Sequence, residues 1–184
     1  MIITDLSPED QARIHHTARL LVEGFKTNWP KAWPDIESAL EEVHGSFGAE
    51  RISRVAVAND GFILGWIGAI PEYDGHAWQL HPLVVHPEHQ GLGIGRSLVQ
   101  DLEGQIHQRG GTTIYLGTDD EDGMTSLAHI DLYPDVFQHI ARIKNLKHHP
   151  YQFYQKLGYV IVGVVPDANG PGKPDILMAK RVLQ

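Results

Sequence analysis

Apolar residues recur along this chain with two different periods, and the switches between them mark out its elements. Ile2-Ile3 opens as a short strand. Ser7, Pro8 and Asp10 then form a helix-start signature, with serine as N-cap, proline at the first helical position and the acid as capping-box partner. Ile14, Ala18, Leu21 and Val22 follow at helical spacing and predict a helix to about Phe25. Trp29-Pro30-Lys31-Ala32-Trp33-Pro34 breaks it, and a second helix runs from about Asp35 to His44. The period then drops to two. Arg51 to Ala58 predicts a strand, Asn59-Asp60-Gly61 a hairpin turn and Phe62 to Ile70 the returning strand. Tyr73-Asp74-Gly75 turns the chain into a further strand, Trp78 to Val85. Helical spacing resumes from Ile94 to Ile106 and stops at Gly110-Gly111, ahead of a strand from Thr112 to Gly117.

The second part of the chain is less regular. Thr118 to Tyr133 is polar and acidic without a period, which predicts a long loop of the kind that carries function in compact domains. Val136 to Leu146 and Tyr151 to Leu157 predict helices, the latter stopped by Gly158. Tyr159 to Val165 and Ile176 to Val182 predict the last strands, joined by a loop rich in glycine and proline. Early antiparallel hairpins with a crossover helix give an α+β class with a mixed sheet, not the regular alternation of a Rossmann domain.

One stretch carries chemistry. His86-Pro87-Glu88-His89-Gln90-Gly91-Leu92-Gly93-Ile94-Gly95-Arg96 joins a strand to a helix. A glycine loop in that place presents bare backbone N–H groups to a phosphate, because residues without Cβ turn tightly and let a ligand approach. The loop lacks the ribose-binding acid of a dinucleotide site and the Lys-Ser/Thr ending of a P-loop, which argues against both classes.

Composition narrows the picture. With 184 residues and 42% hydrophobic content, the chain is expected to fold as one domain over residues 1–184. Its apolar runs are too short to span a bilayer, and Met1-Ile2-Ile3-Thr4-Asp5 lacks a basic signal-peptide start. There are no cysteines, hence no disulfides and no thiolate metal sites, which fits a cytoplasmic protein. A net charge of −8 disfavours nucleic acid and anionic membranes and suits a cationic partner, although solubility alone also accounts for it. Twelve histidines include the pairs His15-His16 and His148-His149 but no His-Glu-x-x-His spacing, so no metal is expected.

Gln90-x-x-Gly93-x-Gly95 is a weak motif alone, but Phe153-Tyr154-Gln155-Lys156-Leu157-Gly158-Tyr159 lies downstream at a helix-to-strand junction. In this order the two resemble the cofactor motifs of the GCN5-related N-acetyltransferases (GNAT). That resemblance implies a central, mixed, mostly antiparallel sheet flanked by helices, and acetyl-coenzyme A as cofactor. Ile67-Gly68-Ala69-Ile70-Pro71, Leu80 to Val85, Ile114 to Asp120, Gly163 to Gly170, Lys173 to Ile176 and Met178-Ala179-Lys180 further resemble the aminoglycoside 6′-N-acetyltransferases of the chromosomal enterococcal type. This closer resemblance covers most of the chain from about Arg51 onward. It implies acetylation of the 6′-amine of aminoglycosides, hence antibiotic resistance, and a homodimer.

The resemblance also assigns residues. Amides of Leu92, Gly93, Ile94, Gly95 and Arg96 would hold the coenzyme A diphosphate at a helix N-terminus, where the helix dipole adds positive charge. Gly91 belongs to the same loop, and Gln90 and Arg96 add side-chain donors, with a plain solvated role the alternative for Arg96. The pantetheine arm would pair with Leu83, Val84 and Val85 as an added strand, with an amide near Val85 polarising the thioester carbonyl. Tyr154 stands where the family places a tyrosine that hydrogen-bonds or protonates the coenzyme A sulfur; the competing role is packing.

The base is less obvious. An alkyl amine titrates at ~10 and is mostly charged at neutral pH, so its proton must be removed. The relatives carry an acid at the position of Gln79, and glutamine orients a partner but accepts no proton. His81 lies two residues on, on the same strand face, and is either the base or a structural histidine beside Pro82. Asp119, Asp120, Glu121 and Asp122 form an acidic cluster that attracts a polycation. The resemblance matches Asp122 to a substrate-contacting acid, and a solvated loop is the alternative. Tyr73 and Trp29 are candidates for an apolar wall against a sugar ring, with core packing the competing reading for Trp29. Two further functions stay open: acetylation of another amine (a polyamine, a small metabolite, a protein lysine or N-terminus), and a coenzyme A sensor without turnover.

Overall fold

The four strands nearest the N-terminus form an antiparallel meander in the computed structural model, which describes residues 1–48 and 50–182. β1 (Ile2–Asp5) pairs with β2 (Ile52–Val57), β2 with β3 (Ile63–Glu72), and β3 with β4 (Ala77–Val85). With helices α1 (Gln11–Phe25), α2 (Ile36–Gly45) and α3 (Ile94–Gln108) they make up one compact unit, Met1–Ile114 with Val182. Trp66 pairs with Val55 and Val84 and packs with Ile14, Ala18 and Leu21 of α1 and Ala39 and Val43 of α2. Its neighbour Gly65 lies instead against Leu98 and Ile94 of α3. The helices therefore cover both faces, and β2 is buried at every position. Arg54 is tolerated there because its guanidinium forks onto Asp101 at 2.7 and 3.1 Å and reaches Asp5 at 2.7 Å.

The α1 start differs from expectation. Asp10, not Ser7, is the N-cap, its carboxylate accepting from Arg13 N at 3.0 Å. Ser7 to Asp10 is instead a turn closed by Asp10 N donating to Ser7 O at 3.1 Å.

One irregularity positions the site. Ile67 faces Leu83 but Ala69 faces Leu80, so His81 and Pro82 together oppose the single residue Gly68, in a β-bulge. A Cβ on residue 68 would lie 2.5 Å from the His81 carbonyl oxygen, so the close approach requires glycine. The bulge also resets the alternation. Gln79, opposite Ile70, and His81 lie on the α1/α2 side, whereas Leu83 and Val85, opposite Ile67 and Gly65, lie on the α3 side.

The second unit, Tyr115–Arg181, holds most of β5 (Thr113–Asp119), with α4 (Val136–Ala141), α5 (Tyr151–Gln155), β6 (Val160–Val165) and β7 (Asp175–Arg181). β7 lies between β5 and β6 and is antiparallel to β6. β5 runs on to Asp119, so that residue sits on a strand and not in the predicted loop. α4 stops at Ala141, short of the predicted Leu146. The chain turns back there because Lys144 N donates to Ser126 Oγ at 2.9 Å and Leu146 N to Met124 O at 2.8 Å. The α+β class and the mostly antiparallel pairing expected from the sequence hold. Among the described residues no helix is long and apolar enough to cross a membrane.

Candidate active site

At the end of β4 the chain makes one 3-10 turn, Pro87–His89, and then Gly91 and Gly93 take φ values of 78° and 86°. Gly93 caps α3 without any side-chain cap, and the first bond of the helix runs from Ser97 N to Gly93 O at 3.0 Å. The amides of Ile94, Gly95 and Arg96 precede that bond and point out of the positive end of α3. Ile94 is buried and anchors the turn, whereas Gly91, Leu92, Gly93 and Arg96 are exposed. A Cβ on Gly91 or Gly93 would meet nothing within 4 Å, so glycine serves the left-handed backbone and leaves the approach open. Amides ahead of the helical ladder, a positive helix end and an unobstructed approach fit a diphosphate.

Gln90 behaves differently from expectation. Its Nε2 donates to Val85 O at 3.2 Å and ties the loop back to the strand. His86 and His89 brace the same loop from behind, with ring centroids 5.2 and 5.8 Å from Phe62. Leu83 and Val85 are half-buried, while the Val84 side chain belongs to the core.

On the α1/α2 side, Gln79 and His81 share a half-buried face, as strand geometry predicts. Their neighbour comes from a distant helix that no local pattern signals. Glu42 of α2 brings Oε1 to 3.5 Å from His81 Nε2. Its carboxyl is held below the usual range, first by hydrogen bonding to His81 and then by the charge of His81, bonding to Trp33 and the charge of Arg51, all against a burial penalty. The Trp33 ring lies 6.0 Å from the His81 ring and 4.6 Å from Phe25. Trp33 is thus a site aromatic that sequence reading treated only as part of a break. Trp29 is half-buried, tilted against Phe25 at 5.8 Å and outside the core cluster. Tyr73 is 76% exposed in the β3–β4 turn.

In the second unit, Tyr154 lies on α5, nearly buried, with ring centroids 5.0 Å from Phe153 and 5.6 Å from Tyr159. Burial pushes its phenol well above the ordinary value, so it stays protonated. The acidic cluster divides by role. Asp120 is fully buried and accepts from Met124 N at 2.6 Å and Thr125 N at 2.7 Å, a structural clamp on the loop. Glu121 lies 3.8 Å from Lys173 Nζ. Asp119 Oδ1 accepts from Asn169 Nδ2 at 2.5 Å, and Asp122 is exposed.

Asp175, not singled out by sequence reading, stands beside Asp119. Burial, then the Asp119 charge, raises its carboxyl to about 6, partly opposed by the Thr118 amide. Its Oδ1 is buried without a hydrogen-bond partner. His149 is a staple: its Nδ1 accepts from Tyr151 N at 3.2 Å, which leaves Nε2–H to donate to Asp119 O at 3.0 Å, and burial lowers its pKa. Among the described residues no group of three or more metal-ligating side chains converges.

The chain is similar to known proteins of one family. The acetyltransferase (GNAT) family profile matches residues 18–133. The crystal structure of an aminoglycoside 6′-N-acetyltransferase complexed with coenzyme A is 45% identical, with a TM-score of 0.91, over 100% of this chain and 98% of that one. The aminoglycoside 6′-N-acetyltransferase from Enterococcus faecium is also 45% identical, with a TM-score of 0.89 over 100% and 98%. An aminoglycoside 6′-acetyltransferase type Ii is 39% identical, with a TM-score of 0.75 over 100% and 99%. No curated protein matches the chain.

Proposed function

Because the chain belongs to the GNAT family of acetyltransferases, we propose that it moves acetyl from acetyl-coenzyme A to the 6′-amine of an aminoglycoside antibiotic. The observation that carries the substrate is the 45% identity, over the whole chain, to enzymes of that activity. In this reading the amides at the start of α3 bind the diphosphate, supplemented by Arg96, and the backbone of Leu83 to Val85 pairs with the pantetheine arm. An amide near Val85 donates to the thioester oxygen as charge develops there, the kind of contact worth ~3 kcal/mol.

The substrate enters as an ammonium, drawn by the chain's charge of −8 and by exposed Asp122. Gln79 orients the nitrogen and His81 takes its proton. The nitrogen lone pair would then attack the acetyl carbon, the carbon–sulfur bond would break with the Tyr154 hydroxyl donating a hydrogen bond to the departing sulfur, and the second nitrogen proton would pass to the thiolate or to water as the amide forms. Trp29 and Tyr73 are the candidates for contact with the sugar rings in the first unit, and Asp119 is a candidate in the second.

We further assign the whole chain to one catalytic domain, acting in the cytoplasm where the acyl donor is made and conferring aminoglycoside resistance. The proposed form is a homodimer, for which exposed Val160, Val162 and Val165 on β6 offer an apolar surface. A second reading, another amine as substrate, draws support from Gln79 in place of an acid. A thiol-release assay over kanamycin, spermidine and a lysine peptide separates them. Release with kanamycin is the expected result; release with the other amines alone overturns the aminoglycoside assignment, and release with none favours a sensor.

A further inference from the structure

Gln79 leaves the acetyl transfer proposed above without a carboxylate on β4, and the fold brings one in from elsewhere. Glu42 projects from α2 to 3.5 Å from His81 Nε2, with side-chain exposures of 28% and 42%. We infer that Glu42 is the positioning residue of His81, holding the imidazole with Nε2–H toward α2 so that Nδ1 receives the proton of the incoming amine.

Three observations carry this. First, the bulge at His81-Pro82 puts His81 on the α1/α2 side, where α2 supplies its partner. Second, Trp33 stands beside the pair: its ring lies 6.0 Å from the imidazole ring, and its side chain adds to the effects that hold the Glu42 carboxyl low. Third, Arg51 is the other charge acting on Glu42, and its Nη1 donates to Gly45 O at 2.9 Å, so the carboxylate keeps His81 as its nearest ionisable partner. A carboxylate on one ring nitrogen selects the tautomer that presents a lone pair on the other. The proton balance is simple. The amine N–H bond breaks, the proton goes to Nδ1, and the imidazolium so formed is stabilised by the Glu42 charge.

Because this inference rests on the acetyltransferase reading, its test needs one arm without turnover. In the first arm, kcat and KM for kanamycin are measured for wild type, Glu42→Gln, Glu42→Asp, His81→Ala and the double variant Glu42→Gln/His81→Ala. Glu42→Gln should lower kcat about tenfold to hundredfold, with KM within about threefold. Glu42→Asp should recover part of the loss. The double variant should fall within about twofold of His81→Ala, because the two residues act as one unit. Independent losses in the double variant, or an unchanged kcat in Glu42→Gln, overturn the inference.

In the second arm, which uses no substrate, the His81 ring tautomer is read from its 15N NMR signals. Nε2–H with a bare Nδ1 is expected in wild type, and a mixture of the two tautomers in Glu42→Gln. An unchanged tautomer in a Glu42→Gln variant that melts like wild type overturns the pairing, whatever the substrate. If wild type releases no thiol with any aminoglycoside, the proposed function fails while the tautomer still decides the pair.

Discussion

Replacing Tyr154 by phenylalanine removes one hydroxyl and keeps the ring that packs against Phe153 and Tyr159. The expected loss follows from proton affinities. An alkyl thiol ionises near ~8.5 and an ordinary phenol near ~10, and burial pushes Tyr154 higher still. Complete proton transfer to the departing thiolate therefore runs uphill by at least ~2 kcal/mol. In the proposed reaction the hydroxyl would thus act as a hydrogen-bond donor to negative charge on sulfur, and not as a strong acid. A hydrogen bond to a charged group contributes ~1.5–3 kcal/mol. At ~1.4 kcal/mol per decade this lowers kcat by about tenfold to 150-fold. Since the phenol stays protonated, the ratio of wild type to variant should be flat from about pH 6 to about pH 9. Thiol release at saturating acetyl-coenzyme A and kanamycin measures kcat, and a thermal melt checks that the core is intact. A kcat within about twofold of wild type, in a variant that melts normally, would falsify the role.

Three further outcomes are expected. Gly68→Ala places a methyl 2.5 Å from the His81 carbonyl oxygen, where the obstacle is backbone; stability should fall by ~1–3 kcal/mol in urea unfolding, with a loss of kcat as His81 shifts. Gly93→Ala forces a side chain into φ 86° with open space around it; it should cost ~1–2 kcal/mol of stability and weaken coenzyme A binding severalfold by calorimetry. Asp175 has a folded-state pKa raised from 3.8 to about 6, so its contribution is fully present below about pH 4 and is lost as pH rises to about 6. Asp175→Asn should accordingly raise the melting temperature at pH 8 and leave it nearly unchanged at pH 4; equal shifts at both would contradict the raised pKa.

Much of this molecule was legible in one dimension. α3 begins at Ile94 as its spacing predicts, and Gly91 and Gly93 carry the left-handed backbone that a phosphate loop needs. Asp35 caps α2, and Tyr73-Asp74-Gly75 turns β3 into β4. These features depend on sterics and hydrogen bonds between residues a few positions apart, which the local order of amino acids dictates. The Ser7 cap failed within the same range, because a stronger acceptor, Asp10, stands three residues later. The ends of β5 and α4 depart from their periodic pattern for a different cause: distant strands and bridges extend one and cut short the other.

The site partners were settled in three dimensions. Glu42 meets His81 because a bulge turns one residue of β4 toward α2. Of four consecutive acids, Asp120 is a buried clamp while Asp122 stays exposed. Asp175 acquires its high pKa from a strand that places it beside Asp119. Gln90 turns inward to Val85 and not out toward a ligand. Side-chain alternation along a strand is read from spacing, but which element lies across from it depends on register, burial and charge contributed by residues far away in the chain. Those long-range pairings set proton affinity and orientation, and so chemistry, where composition and period are silent.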